Sequence, residues 1–389
     1  MSTTRTAGRG VPAPSATGRV VSVDALKVIL VSWVIGCHAL LGYTRIGGWS
    51  YDEVAEATIP PPVELVLSVV LGPTSLFVIG TFFFLAGMFA PGERSRYGTG
   101  GFVRRRMARL GLPWLTFVFL VWPLCMWVAY RAAGYDVLPW ETFLHRQPLL
   151  ASGPLWFAQV LLYVSIGYAL WPRLDRRRHP DASLRHVVGP WTLALAILLI
   201  AITSFVVRLP FPVQSQQILD LHLWQWSQCV GMFALGVLVS SQGWISQVPD
   251  GIARWSRRAM LAALAGAPAM VVAFGVDDVA RDSVPFLGGW RLEAVALAVM
   301  EAVLVVAGSV TLLHLVQTRL RTAGPLLTRC ARGAYAAYLL QVPVLISLSV
   351  ALRPLAVRAL AKALTVGVLG VALCLGLGAI LTARHHRPR

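Results

Sequence analysis

The stretch VDALKVILVSWVIGCHALLGY, residues 23–43, decides the fold class of this chain. It is mostly apolar and has about the 20 residues that an α-helix needs to cross the hydrocarbon core of a bilayer. Similar stretches follow along the sequence, and together they predict an all-α, polytopic transmembrane bundle of about ten helices. The predicted spans are 23–43, 63–89, 110–130, 154–172, 188–207, 223–241, 259–276, 293–317, 334–351 and 363–383.

The composition of the whole chain agrees with this prediction. Of its 389 residues, 57% are hydrophobic and 13% are charged, whereas soluble domains carry roughly a quarter charged residues. The mean hydropathy is +0.67, which excludes an ordinary soluble globular protein. Residues 1–20 are rich in Gly, Pro, Ser, Thr and Arg, and this composition predicts a disordered cytoplasmic tail. The remainder, residues 21–389, forms the predicted transmembrane domain.

Positive charge is distributed unevenly along the chain. The net charge of +17 is of a kind that also occurs in proteins that bind nucleic acids. With the N-terminus inside, however, Arg-rich segments alternate with acidic segments between successive spans, as the positive-inside rule requires. This alternation predicts cytoplasmic termini, and the lipid bilayer rather than a nucleic acid as the partner. The membrane is expected to be a bacterial inner membrane. Arg353, Arg358 and Lys362 are exceptions, because they lie in a loop that is predicted outside.

Two ionisable residues inside the first predicted span are candidates for function, since such groups are costly within a bilayer. Lys27 and His38 are eleven residues apart, which places them on one helix face about 16 Å apart along the axis. A histidine can accept a proton from a hydroxyl near neutral pH. Alternatively, Lys27 extends to the lipid headgroups and His38 forms an interhelical hydrogen bond. Both interpretations stay open at this point.

The other candidate site residues are two arginines, two aromatic residues and one acid. Arg106 and Arg109 are three residues apart where the third span begins, and paired guanidinium groups suit a polyphosphate, although cytoplasmic helix ends are commonly Arg-rich. Trp156 and Phe157 open the fourth span and either contact substrate or lie at the membrane interface. Glu301 in the eighth span either contacts substrate or is a satisfied packing group. The spacing of the five cysteines predicts no metal site.

Small residues in the second span indicate where helices pack closely. The run LFVIGTFFFLAGMFAP, residues 76–91, contains Gly80 and Gly87. Glycine lets the backbones of neighbouring transmembrane helices approach each other. We therefore predict close helix contacts at these two positions.

Four segments resemble the integral membrane acyltransferases of family 3, and in particular its glucan-modifying succinyltransferase-like subgroup. They occur in the family's order and extend over nearly the whole region of predicted spans. The segments are a basic residue and a histidine with ten residues between them, an RxxR motif, PLWF, and a sixth-span tract, at Lys27 and His38, Arg106 and Arg109, 154–157, and 221–244.

The resemblance implies an enzyme that moves an acyl group of the acetyl or succinyl class from cytoplasmic acyl-CoA to a hydroxyl of a carbohydrate or another acceptor. His38 would be the general base or an acyl relay, and Arg106 and Arg109 would bind the donor phosphates or hold the donor tunnel. Lys27 would support one of these roles. Acyl-CoA would be a substrate, and no cofactor would be bound permanently. One departure from the family is Gln341, which occupies the position of a histidine that follows a YxxYLx pattern in many members.

A transporter or exporter of a glycan or a lipid-linked precursor is the alternative from a different functional class. Glu301, His314 and the Gly and Pro breaks would then form a substrate path. Such a protein is expected to show an inverted repeat in its hydropathy, which the sequence does not display, and it would not consume acyl-CoA. Binding of labelled acyl-CoA separates the two functions.

Overall fold

The computed structural model describes residues 21–46, 49, 51, 56, 58–144, 150–171, 188–215, 217–320, 322 and 324–384. Within these ranges every regular element is helical and no strand occurs, which confirms the predicted all-α class. The helices are α1 (Val21–Leu41), α2 (Pro61–Arg106), α3 (Leu112–Thr116), α4 (Trp122–Ala132), α5 (Pro139–Leu144), α6 (Trp156–Leu170), α7 (Pro190–Val207), α8 (Trp226–Val239), α9 (Asp250–Ala273), α10 (Val279–Asp282), α11 (Leu292–Val303), α12 (Ser309–Arg319), α13 (Pro325–Leu352) and α14 (Ala359–Arg384).

Short π-helical turns join several of these helices without a break. They lie at Met107–Gly111, Phe117–Val121 and Leu304–Gly308. As a result, the part of the chain that the structure describes holds seven helical segments that are long and apolar enough to cross a membrane: Val21–Leu41, Pro61–Ala132, Gly153–Leu170, Pro190–Val207, Leu292–Arg319, Pro325–Leu352 and Ala359–Ala383. These segments support a multi-pass membrane protein, whereas the count of ten spans and the cytoplasmic termini stay predictions.

The segment Pro61–Ala132 is a helical hairpin rather than one span. A straight helix of its 72 residues would be about 108 Å long, far more than the roughly 30 Å of a hydrocarbon core. Gly98 has φ 69° and ψ 172°, a conformation that is essentially restricted to glycine. The chain reverses direction at Gly98. As a result, the Glu93 carboxylate contacts Arg105 and Arg106 at 3.2 and 3.1 Å. Helix therefore occupies much of the region between the predicted span ends at 89 and 110.

Glycines bring the central helices into close contact, as the sequence predicts. A methyl group on Gly87 in α2 would overlap the backbone carbonyl of Phe233 in α8. A methyl group on Gly80 would overlap the side chain of Val305 in the π-helical turn after α11. The prediction of close packing at both glycines is confirmed. These two contacts place α2 at the centre of the bundle. The part of α2 before Gly98 and the part after it can then position the arginines described below.

Ion pairs join loops and the first turns of helices at the opposite end of the bundle from Gly98. The Lys362 ammonium lies 2.5 Å from the Glu56 carboxylate, and both side chains are nearly buried. Arg45 bridges Glu64 and Asp278 at 2.9 and 3.0 Å, and its hydrogen bonds hold the pKa of the Asp278 carboxyl below its usual range. Lys362 is an exception to the predicted charge pattern, and Glu56, in a loop at the same end of the bundle, neutralises its charge.

Candidate functional site

A cavity of about 920 Å³ opens between α1, the α2 hairpin, α6, α13 and α14. Four of the predicted site residues line it, namely Lys27, Arg106, Arg109 and Phe157. These residues come from three separate parts of the sequence. The fold therefore brings together candidate groups that lie far apart in the sequence.

The two arginines are positioned by the hairpin that turns at Gly98. Because the chain reverses there, Glu93 faces the helix that carries both arginines. Its carboxylate lies 3.1 Å from the Arg106 guanidinium and 3.9 Å from that of Arg109. The Arg106 side chain is mostly buried and that of Arg109 is 64% exposed. An anion entering the cavity would therefore meet two oriented guanidinium groups whose charge is only partly neutralised.

Lys27 adds a third cation to this cavity. Its ammonium is 3.6 Å from the Asp24 carboxylate and remains 41% exposed. It also lies 6.0 Å from the ring centre of Phe89. The side chain therefore retains access to the cavity, as a charge that supports anion binding requires.

His38 is held by a residue from the other end of the sequence. Its Nδ1 lies 2.9 Å from Oε1 of Gln341, and its ring stacks on Trp49 at 4.6 Å with an interplanar angle of 15°. Because a carbonyl oxygen only accepts, Nδ1 carries the proton and Nε2 of the neutral ring keeps its lone pair. Gln341, a departure from the family pattern, is thus the orienting partner of the predicted base.

The cavity and His38 are separated along the helices by Tyr338. Among the described residues, the cavity lining ends at Val31 on α1 and at Tyr338 on α13, and it does not include His38. His38 lies seven residues, or about 10 Å along the axis, beyond Val31. Tyr338 donates a short hydrogen bond to the carbonyl of Pro154, and Gln341 follows it by one helical turn. A substrate that extends from the cavity to His38 would therefore pass Tyr338.

Trp156 lies away from this cavity although its neighbour Phe157 lines it. The Trp156 ring stacks on His222 at 4.6 Å with an interplanar angle of 16°. Nδ1 of His222 in turn lies 2.9 Å from the backbone oxygen and 3.3 Å from the carboxylate of Asp220. Sequence reasoning missed this histidine and its acid, because a His and an Asp two residues apart in a loop have no specific spacing.

Glu301 takes part in a buried ion pair. Its carboxylate lies 2.5 Å from the Arg208 guanidinium, and the two side chains are 5% and 1% exposed. Gln228 donates a further hydrogen bond to the same carboxylate at 2.9 Å. A buried charge of this kind is strongly destabilising when its partner is removed. These contacts explain how a polar residue is tolerated just after α7, within α8 and within α11, while a contact of Glu301 with substrate stays a prediction.

Comparisons with known proteins bear on the whole region described above. A family model described as an acyltransferase domain matches residues 20–382, which is nearly the full length of the chain and includes every predicted site residue. No curated protein and no solved structure gives a significant match. Together with the multi-pass helical fold, the family match shows that this chain belongs to acyltransferase family 3 and contains a membrane acyltransferase domain.

Proposed function

We propose that the protein is an acyl-CoA-dependent O-acyltransferase of a bacterial inner membrane, which moves a group of the acetyl or succinyl class to a hydroxyl of a carbohydrate or another acceptor. The observation that carries this proposal is the convergence of Lys27, Arg106 and Arg109 on one cavity. Membership of an acyltransferase family supports the reaction class. The donor and the acceptor are proposals.

The charge of the cavity suits the phosphates of a CoA donor. Guanidinium groups bind phosphate oxygens through paired, charge-assisted hydrogen bonds. Arg109 is largely exposed and Arg106 is mostly buried, so that one can meet the ligand at the entrance and the other further inside. In the proposed orientation this entrance faces the cytoplasm, where acyl-CoA occurs.

In the proposed reaction His38 acts as the general base. Nε2 accepts the proton of the acceptor hydroxyl while the hydroxyl oxygen attacks the thioester carbonyl carbon. The carbon–sulfur bond then breaks, the CoA thiolate leaves, and the new ester forms. The contact of Nδ1 with Gln341 supports this role, since it leaves Nε2 unprotonated in the neutral ring. A positioned general base typically contributes a factor of about 10² to 10⁴ in rate.

Acyl-CoA binding tests the proposal and separates it from the transport alternative. We expect purified protein to bind labelled acetyl-CoA, and the double variant Arg106→Ala/Arg109→Ala to lose at least tenfold in affinity. Arg104→Ala is the matched control, because Arg104 lies on the same helix and is exposed outside the cavity. Equal affinity in wild type and the double variant would refute the donor site, and a wild type that binds no acyl-CoA would favour a transporter.

A further inference from the structure

A second cluster with the chemistry of a binding site lies in the loops near the start of α6 and α8. The His222 ring contacts two tryptophans, stacked on Trp156 at 4.6 Å and tilted against Trp224 at 5.8 Å. Its side chain is 25% exposed. Aromatic faces that are partly open, together with a polar ring edge, form the kind of surface on which small ligands bind.

The contacts of His222 define which ring nitrogen faces a ligand. Nδ1 lies against two oxygens of Asp220, the backbone carbonyl at 2.9 Å and a carboxylate oxygen at 3.3 Å. Both oxygens accept, so Nδ1 carries the proton and Nε2 of the neutral ring is a hydrogen-bond acceptor. Within the part of the chain that the structure describes, Nε2 has no hydrogen-bond partner of its own. It is therefore available to a hydroxyl group.

The loop that carries this histidine is held in a strained conformation. Leu219, Asp220 and His222 all have positive φ, at 64°, 54° and 48°. Such conformations persist only where the surrounding contacts enforce them, and they cluster at functional sites. Two contacts hold this loop. The Ser152 amide donates a hydrogen bond to the Asp220 carboxylate at 2.9 Å, and the Trp226 indole donates one to the Leu221 carbonyl at 2.7 Å.

Among the residues that the structure describes, the charged groups at the cluster are paired with one another, which favours a neutral ligand. Asp220 offsets any positive charge on His222. Arg208 lies with its guanidinium 5.8 Å from the Trp224 ring, but it is paired with Glu301 at 2.5 Å. The cluster thus differs from the cavity of Arg106 and Arg109, where the cations exceed the acids. Hydroxyl groups and the apolar face of a sugar ring match its hydrogen-bond acceptor and its aromatic rings.

The cluster and the cavity share one short wall. Phe157 lines the cavity and its neighbour Trp156 stacks on His222. Tyr338, which also lines the cavity, donates its hydroxyl to the Pro154 carbonyl. Residues 154–157 thus lie between the cationic cavity and the aromatic cluster. Two substrates of different chemistry could approach this wall from its two sides.

We propose that Trp156 and His222 form the acceptor subsite, where a neutral polyhydroxyl ring packs on the aromatic faces and donates a hydroxyl proton to Nε2 of His222 in a hydrogen bond. This inference rests on the proposed acyl transfer. His222 is a positioning residue in it, and no covalent step occurs there. Asp220 fixes the tautomer that makes the hydrogen bond possible.

The test uses the full chain in lipid nanodiscs and a neutral glucose oligomer, labelled maltohexaose, as the probe. We expect His222→Phe, which keeps an aromatic ring in contact with the tryptophans and removes both nitrogens, to weaken binding of the oligomer at least tenfold. Trp156→Leu should weaken it as well. Trp191→Leu is the matched control, since Trp191 is 88% exposed on α7 and should bind as wild type does. An oligomer of glucuronic acid should bind more weakly than the neutral one.

Acetyl-CoA binding to the same preparations keeps the two proposals apart. If the variants lose the oligomer and retain acetyl-CoA, both proposals are supported. Loss of the oligomer in His222→Phe from a protein that never binds acetyl-CoA would remove the proposed function and leave the subsite. A wild type that fails to bind the neutral oligomer, or His222→Phe binding it like wild type, would overturn the subsite.

Discussion

The imidazole of His38 and the amide of Gln341 are 2.9 Å apart, although 303 residues separate them in the chain. This hydrogen bond joins α1 to α13 and fixes the ring in the tautomer that leaves Nε2 basic. Trp49 covers one face of the same ring. In the proposed mechanism Gln341 therefore orients the base, as the hydrogen-bond partner of one ring nitrogen commonly does for a catalytic histidine.

Replacing Gln341 should impair turnover without affecting the donor site. Gln341→Ala removes the acceptor of Nδ1, so the ring can rotate or change tautomer, and a misplaced catalytic group can cost on the order of 10² in rate. We expect kcat to fall by about this factor while the affinity for acetyl-CoA stays unchanged. Gln341→Glu keeps an acceptor oxygen and should retain more activity. Wild-type kcat in Gln341→Ala would show that the contact does not position the base.

Replacing Glu93 should strengthen binding of the donor. Glu93 lies within 4 Å of both Arg106 and Arg109, so it competes with an anionic ligand for their charge. We expect Glu93→Gln to lower the Kd for acetyl-CoA several-fold, with a larger effect at low ionic strength because less salt screens the charges. Glu293→Gln on α11, outside the cavity, should change nothing. Weaker binding in Glu93→Gln would mean that the carboxylate is needed to hold the arginines in place.

Removing one partner of the Arg208–Glu301 pair should destabilise the bundle. The guanidinium would stay buried without its acid, at a typical cost of about 3–5 kcal/mol. Thermal unfolding of the detergent-solubilised protein should therefore show a lower Tm for Glu301→Ala. Arg208→Met/Glu301→Leu, which removes both charges, should recover most of the loss. If the single variant has a normal Tm but cannot transfer, Glu301 serves the substrate instead.

Adding one methyl group between α2 and α8 should disturb their packing. Gly87→Ala would push the new Cβ into the Phe233 carbonyl, and forcing extra atoms into a packed interior costs about 1–3 kcal/mol. We expect a lower Tm than for Gly92→Ala, the control on the same helix, where a Cβ meets open space. Equal Tm values would indicate that the two helices can separate without cost.

Much of this architecture could be predicted from local sequence. Apolar stretches of sufficient length predict the spans, and Gly80 and Gly87 predict close packing. An ionisable residue within a span identifies Lys27 as a candidate, and a pair of guanidinium groups identifies Arg106 and Arg109. The periodicity of a helix does not encode which helix packs beside it. The partnership of Glu93 with the arginines depends on a reversal at Gly98, and the partnership of His38 with Gln341 depends on packing between the first and the thirteenth helix.

The cluster around His222 was beyond sequence reasoning for a different reason. His222 and Asp220 lie in a loop whose strained backbone, not a regular element, brings the acid to Nδ1. Trp156 was a candidate because it opens the fourth predicted span, but an aromatic residue at that position is equally typical of the membrane interface. The structure adds that the Trp156 ring stacks on that of His222.

Acyl transfer by the His38→Ala variant tests the central proposal most directly. Membranes that contain wild type, His38→Ala or the control His314→Ala, at matched expression, would be supplied with labelled acetyl-CoA and assayed for labelled acceptor. His314 lies on α12, apart from the cavity lining. We predict that His38→Ala loses at least about 10²-fold in transfer while it still binds acetyl-CoA, and that His314→Ala transfers like wild type. Undiminished transfer by His38→Ala would contradict the role of His38 as the base.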